Sequence, residues 1–191
     1  MDRTLLAWGL RQRGRYPALW LFTDAVRQPD PLPSIARLPP NRAGVVFRHD
    51  QHPGRAALGA RIAGLCRARR LALVVAGDAR LAAKLRAGLH LRGGRGLSGP
   101  RIKGFATSSA HSVPDLRRAA RAGAALAFLS PAFATESHRG AGGLGSVRWT
   151  GWARQAPVSL VVAALGGIDG NTVRRLPRHL CQAVGAIGAL S

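Results

Sequence analysis

The stretch LALVVAGDARLAAKLRAGLHL, residues 71–91, decides the fold. It opens on a continuous apolar run at 71–76, crosses a short loop into a helix-like segment at 79–86, and returns to a second apolar run at 88–91. Neither run alternates apolar with polar residues. Continuous runs of this length suit strands covered on both faces, as in a parallel sheet. The same pattern extends outward in both directions. Further β-like runs lie at 19–23, 43–48, 102–108, 124–130, 158–164 and 183–188. Helix-like segments lie between or before them. Residues 1–14 place Leu5, Leu6, Trp8 and Leu10 on one side, and residues 55–69 carry Leu58, Ile62, Leu65 and Cys66 at helical spacing. Residues 113–121 follow Ser112 as N-cap, with Pro114 and Asp115 in the first turn. Residues 145–154 form a weaker segment, and 172–181 is interrupted by Pro177.

Eight strand candidates alternating with helices predict an α/β (β/α)8 TIM barrel occupying residues 1–191 as one domain. An open doubly wound sheet is the alternative that pattern alone leaves standing. The chain is short for a barrel, so the fourth and eighth helices are expected to be missing or reduced. Their absence would expose apolar surface to a partner, a second copy of the chain included.

Composition narrows the function classes. With 191 residues, 47% of them hydrophobic, the chain buries one sizeable core and is too short for two. No apolar run approaches the roughly 18–20 residues of a membrane span, so no membrane partner is expected. The opening Met1-Asp2-Arg3 leads into a mixed segment, which predicts no secretory leader. Cys66 and Cys181 are isolated among apolar neighbours, which fits a reducing cytoplasm. The formal charge is +21, yet only Lys84 and Lys103 are lysines and the arginines are scattered, with small clusters at 67–70 and 117–121. Scattering without a basic block predicts a solvated surface and argues against a nucleic-acid partner.

A barrel carries its chemistry at the C-terminal ends of its strands. Gly166-Gly167 follows the seventh run and Ile187-Gly188 ends the eighth, where backbone N–H groups can cradle a phosphate. A tight turn is the plain alternative. Placing an acid there, as in Gly167→Asp, is expected to block the phosphate with the fold intact. Ser109 and His111 lie in the hydroxyl-rich segment after the fifth run, where an imidazole can move a proton. A capped helix start with a surface histidine would look the same. A glycine-rich loop after the sixth run carries Thr135, Ser137, His138 and Arg139 and can close over an anion. Arg48 after the second run is a candidate phosphate clamp, though a pair with Asp50 is slightly favoured. Zinc, redox CxxC, P-loop and dinucleotide motifs are absent, and only eight acidic residues are available to build a magnesium site.

These segments, in this order, resemble the thiamine phosphate synthase family and its thiazole tautomerase relatives. Leu19-Trp20-Leu21-Phe22-Thr23-Asp24 looks like the family's first strand, and Gly88-Leu89-His90-Leu91 its fourth. Ser109-Ala110-His111-Ser112, residues 130–137 and Leu165-Gly166-Gly167-Ile168 resemble three further motifs. The resemblance implies a barrel that joins hydroxymethylpyrimidine diphosphate to thiazole phosphate, releasing pyrophosphate with the help of Mg²⁺. It implies that Gly166, Gly167, Ile187 and Gly188 hold the thiazole phosphate, with Thr135 and Ser137 beside it and Ser109 near the pyrophosphate. Arg48 matches the arginine of a Q-x-R-x-K motif whose glutamine and lysine positions are Val46 and Asp50 here, and His138 with Arg139 falls where a loop lysine is usual. The expected magnesium carboxylates are displaced, and Asp78 is the nearest metal ligand. The tautomerase relatives need no metal and move a proton with the histidine that matches His111. A degenerate barrel that only binds thiazole phosphate or an anionic partner completes the alternatives.

Overall fold

The computed structural model describes residues 1–93, 104–135 and 142–191. It is a closed barrel of eight parallel strands in sequential order, which removes the open-sheet alternative. The strands are β1 (Leu19–Phe22), β2 (Ala43–Phe47), β3 (Ala72–Ala76), β4 (Gly88–Leu91), β5 (Ala106–Ala110), β6 (Leu126–Leu129), β7 (Val161–Leu165) and β8 (Ala183–Ala186). Six α-helices stand among the described residues: α1 (Arg3–Leu10), α2 (Leu32–Arg37), α3 (Arg55–Ala68), α4 (Ala79–Leu85), α5 (Val113–Arg121) and α6 (Gly145–Ala153).

Alternate residues of each strand face the barrel axis, and the register decides what fits there. Trp20 pairs with Gly44 on β2 and with Gly185 on β8. A Cβ on Gly44 would stand 2.5 Å from the Trp20 ring, and one on Gly185 would stand 2.6 Å from Phe22. Two glycines therefore make room for two large rings. Phe128 completes the filling, 5.8 Å from Trp20 and 4.8 Å from Phe22 between ring centroids, both edge-on. Ala163 and Ala183 supply the small residues opposite. The outward residues, among them Leu19, Leu21, Val45, Phe47 and Val75, form a second core beneath the helices.

Four expectations from sequence are corrected. The fifth strand is Ala106–Ala110 instead of 102–108. Its hydroxyls are satisfied inside the sheet: Thr107 Oγ1 meets His90 Nδ1 at 2.8 Å and Ser108 Oγ donates to the Leu91 carbonyl. An apolar pattern could not show this. The helix expected over 172–181 shrinks to a single 3-10 turn, Thr172–Arg175, ahead of Pro177. Helix α2 was not expected, because six residues with a proline in the first turn carry too little periodicity. The apolar surface expected from a missing eighth helix is reduced at β1, against which α1 packs. Leu5 and Trp8 are buried, and Gly9 abuts the Leu19 side chain. The expected position of the fourth helix, residues 94–103, lies outside the described residues.

Asp2 anchors α1. Its Oδ1 accepts from the N–H groups of Thr4 and Leu5, and its Oδ2 from Gly170 N–H at 2.7 Å. Burial raises its carboxyl pKa, but the Leu5, Gly170 and Thr4 N–H donors outweigh that and hold it below the usual value. Phe128→Ala is expected to destabilise the protein by about 3–5 kcal/mol, the cost of an aromatic cavity between two rings that cannot collapse. Urea unfolding followed by circular dichroism measures it.

Candidate functional site

The C-terminal ends of the strands surround a cavity of about 450 Å³. Asp24, Arg27, Arg48, His111, Ser130, Pro131, Thr135 and the segments around Gly166-Gly167 and Ile187-Gly188 line it. A larger, more open groove on the outer wall, beside α5, brings Arg117, Arg118 and Arg121 together with Ser159 and two prolines. That groove offers neither an acid nor a histidine among its lining residues, so the mouth is the candidate site.

The β1 and β2 ends are tied by one hydroxyl. Thr23 Oγ1 accepts from the Arg48 N–H at 2.9 Å and meets His49 Nδ1 at 3.0 Å. His49 Nε2 donates to the Gln28 carbonyl at 3.1 Å, so in the neutral ring Nδ1 accepts the Thr23 proton. This chain positions the β1 loop that carries Asp24 and Arg27. Asp24 Oδ1 accepts from the N–H groups of Val26 and Arg27. Burial raises its pKa, but those donors and the charges of Arg48 and Arg27 prevail and keep it ionised. The expected Arg48–Asp50 pair is corrected: Asp50 binds Arg55 and Arg92 instead. The Arg48 side chain makes no hydrogen bond or ion pair among the described residues.

His111 stands just beyond β5. Its Nδ1 lies 2.9 Å from the Ser130 carbonyl oxygen, which can only accept. Nδ1 therefore carries the proton, and in the neutral ring Nε2 is left as the basic nitrogen. Asp115 Oδ2 accepts from the His111 backbone N–H at 2.9 Å, and Ser112 caps α5 as expected. Ser109 does not line the cavity. Its Oγ accepts from Gly93 N–H at 2.9 Å and ties the β4 loop to β5.

The loop after β6 folds onto the end of β7. Ala132 N–H donates to the Leu165 carbonyl and Phe133 N–H to the Gly166 carbonyl, at 2.8 and 3.0 Å. Gly166 and Gly167 have φ of +89° and +62°, and a Cβ on Gly167 would run into the Ala134 carbonyl oxygen and Phe133. Packing beneath this loop requires the glycine pair. The expectation that Gly167→Asp leaves the fold intact is corrected accordingly. Gly188 differs: a Cβ there meets nothing within 4 Å. Thr135 reaches the cavity from the same loop, whereas Ser137, His138 and Arg139 lie outside the described residues.

Among the described residues, the expected magnesium ligand Asp78 is already engaged. Asp78 Oδ1 caps α4 by accepting Leu81 N–H at 2.9 Å, and its Oδ2 binds Arg55 at 3.1 Å. Among the described residues no group of three His, Cys, Asp or Glu side chains is arranged to hold a metal ion.

A family model described as thiamine monophosphate synthase matches residues 43–190. The chain belongs to that family. No curated protein matches it. Among solved structures it is similar to a thiamine phosphate pyrophosphorylase from Pyrococcus furiosus, at 19% identity and a TM-score of 0.72, over 90% of this chain and 86% of that one. The corresponding protein from Bacteroides thetaiotaomicron gives 17% and 0.59, over 91% and 83%. A citrate synthase reaches 0.60 at 10% identity, over 97% and 89%, so likeness at this level carries the barrel and not the reaction. No helix among the described residues is long and apolar enough to cross a membrane.

For this family member, sequence had marked Arg48, His111, Thr135, Gly166, Gly167, Ile187 and Gly188, and all seven line one cavity. It had not marked Asp24, Arg27 or Ser130. Asp24 stood in the strand-one motif, two residues past β1, and its position at a strand end was the available signal.

His90 lies under the mouth, edge-on to Phe22 at 5.6 Å. Burial, with the Arg48 and Arg92 charges, pushes its pKa down to about 3 from 6.5. The unfolded chain therefore takes up a proton below pH 6.5 that the native ring refuses. Stability should fall as the pH drops from about 6.5 towards 3, by at most about 1.4 kcal/mol per pH unit for this group. Urea melts across that range should show a shallower fall for His90→Gln than for the wild type.

Proposed function

We propose that the mouth binds a thiazole bearing a phosphate monoester and that His111 transfers a proton on the ring without a metal. The phosphate sits at the Gly166-Gly167 and Ile187-Gly188 turns beside Thr135, and the ring faces His111. The observation that carries this reading is the Nδ1–H bond to the Ser130 carbonyl, which leaves Nε2 as the basic nitrogen of a histidine that lines the cavity. Nε2 takes a proton from one position of the ring system and returns it at another. The transient imidazolium keeps its Nδ1–H bond to Ser130. Atoms and charge balance with no redox partner or co-substrate.

The coupling of thiazole phosphate to hydroxymethylpyrimidine diphosphate is the second reading, and family membership favours it. It uses the same thiazole phosphate subsite. Its usual metal finds no free donor set among the described residues, so it would depend on the guanidinium groups of the β2–β4 rim to hold the diphosphate.

Gly188→Asp adds a carboxylate beside the proposed phosphate position, and its Cβ meets nothing within 4 Å. Calorimetric titration should show at least about tenfold weaker thiazole phosphate binding at an unchanged melting temperature, a loss of about 1.4 kcal/mol or more. Unchanged affinity rejects the subsite. His111→Ala should bind the thiazole phosphate normally but lose about 10²–10⁴-fold of the proton-transfer rate, read by deuterium incorporation into the ring. Full exchange in that variant rejects His111 as the carrier. Product from the two phosphorylated precursors, lost with EDTA, would establish the second reading instead.

A further inference from the structure

The rim formed by the ends of β2, β3 and β4 holds an ion-pair chain that the proton-transfer reading does not use. Arg55, the first residue of α3, sends Nη2 to Asp50 Oδ1 at 3.0 Å and Nη1 to Asp78 Oδ2 at 3.1 Å. Nη2 also donates to the Ala76 carbonyl at 2.8 Å, and the guanidinium lies 5.6 Å from the Phe47 ring centroid. Its Nε is buried without an acceptor, so this cation is held by its Nη contacts and its ring. Asp50 is shared with Arg92, which follows β4.

Two carboxylates and a backbone carbonyl converging on one cation are the donor types a hard divalent ion takes. Here a side chain already fills that place. The Arg55 side chain is only 17% exposed, so its pairs are screened less than surface pairs.

We infer that Arg55 is a built-in substitute for a divalent cation, bridging Asp50 and Asp78 so that this rim works without metal. The guanidinium cannot be released by a chelator. Both carboxylates are neutralised within the fold, and Arg92 and Arg48, which makes no ion pair among the described residues, leave the rim positive. An anionic ligand group such as a diphosphate then meets guanidinium groups directly. The inference is independent of which thiazole chemistry the mouth performs.

Manganese binding to the intact protein tests it, read by the paramagnetic resonance of free Mn²⁺ and by melting temperature. Wild type should neither bind millimolar Mn²⁺ at Asp50 and Asp78 nor change its melting temperature with Mn²⁺ or EDTA. Arg55→Met frees the two carboxylates and should bind Mn²⁺ at least about tenfold tighter than wild type, since carboxylate charge sets divalent affinity. Its melting temperature should rise with added Mn²⁺, and Asp78→Asn in the same chain should abolish both effects. If Arg55→Met or Arg55→Gln folds only when Mn²⁺ is present, the inference is supported in the same way. It is overturned if wild type binds Mn²⁺ in a manner that Asp50→Asn or Asp78→Asn removes. It is equally overturned if neither Arg55 variant gains Mn²⁺ affinity or Mn²⁺-dependent folding.

Discussion

Trp20 sits in register with a glycine on either side, Gly44 of β2 and Gly185 of β8, and barrel closure depends on that arrangement. The seam between the first and last strands is where an eight-stranded sheet either closes or opens. Bulk at Gly44 would strike the Trp20 ring, and bulk at Gly185 would strike Phe22. The interior is consequently filled by three large rings together with Val46, Val74 and Leu126, against glycine and alanine. An aromatic filling of this kind resists small adjustments, because rings meeting edge-on at 4.8 to 5.8 Å leave little room to slide. Every strand end is therefore fixed relative to the others, and so are Arg48, His111, Ser130 and Gly166, each one residue past its strand.

The mouth inherits this rigidity through backbone contacts. Leu165 and Gly166 accept from Ala132 and Phe133, so the β6 loop extends the pairing of β6 with β7 beyond the strands. Phe133 is further held under the Arg175 guanidinium. Thr135 and the glycine pair form one mechanical unit, and His111 is attached to it through the Ser130 carbonyl. A change beneath Gly167 would reach Thr135 and the His111 tautomer together. Gly188 belongs to no such unit, which is why a side chain there tests the phosphate position and not the packing.

The strands were legible because parallel strands buried on both faces leave continuous apolar runs, as at 71–76 and 88–91. The fifth strand escaped this logic. Thr107 and Ser108 are buried with their hydroxyls bonded to a neighbouring strand, and a hydropathy pattern cannot tell a bonded hydroxyl from a solvated one. Helix α5 was legible to the residue, since Ser112 and Pro114 mark its start by their own chemistry. Helix α2 had no such period. In the mouth, glycines, a histidine and an arginine at strand ends were visible from position alone. The partners of charges were not: Asp50 is two residues from Arg48, yet Arg55 and Arg92 take it, because pairing follows the strand ends in space and not the chain.

That choice of partner bears on the chemistry the rim can support. A divalent cation acts as a Lewis acid, drawing electron density from a phosphoryl oxygen as a leaving group departs. A guanidinium offers directional hydrogen bonds and charge but little polarisation, and its planar fork suits holding a phosphate in place. Arg55 is spent on Asp50, Asp78 and Ala76, and Arg92 shares Asp50, which leaves Arg48 as the rim cation with its donors free among the described residues. Such a rim is matched to binding and orienting an anion. On the proposed reading, the change of proton count at the mouth falls to His111, whose Nδ1 is already held by the Ser130 carbonyl.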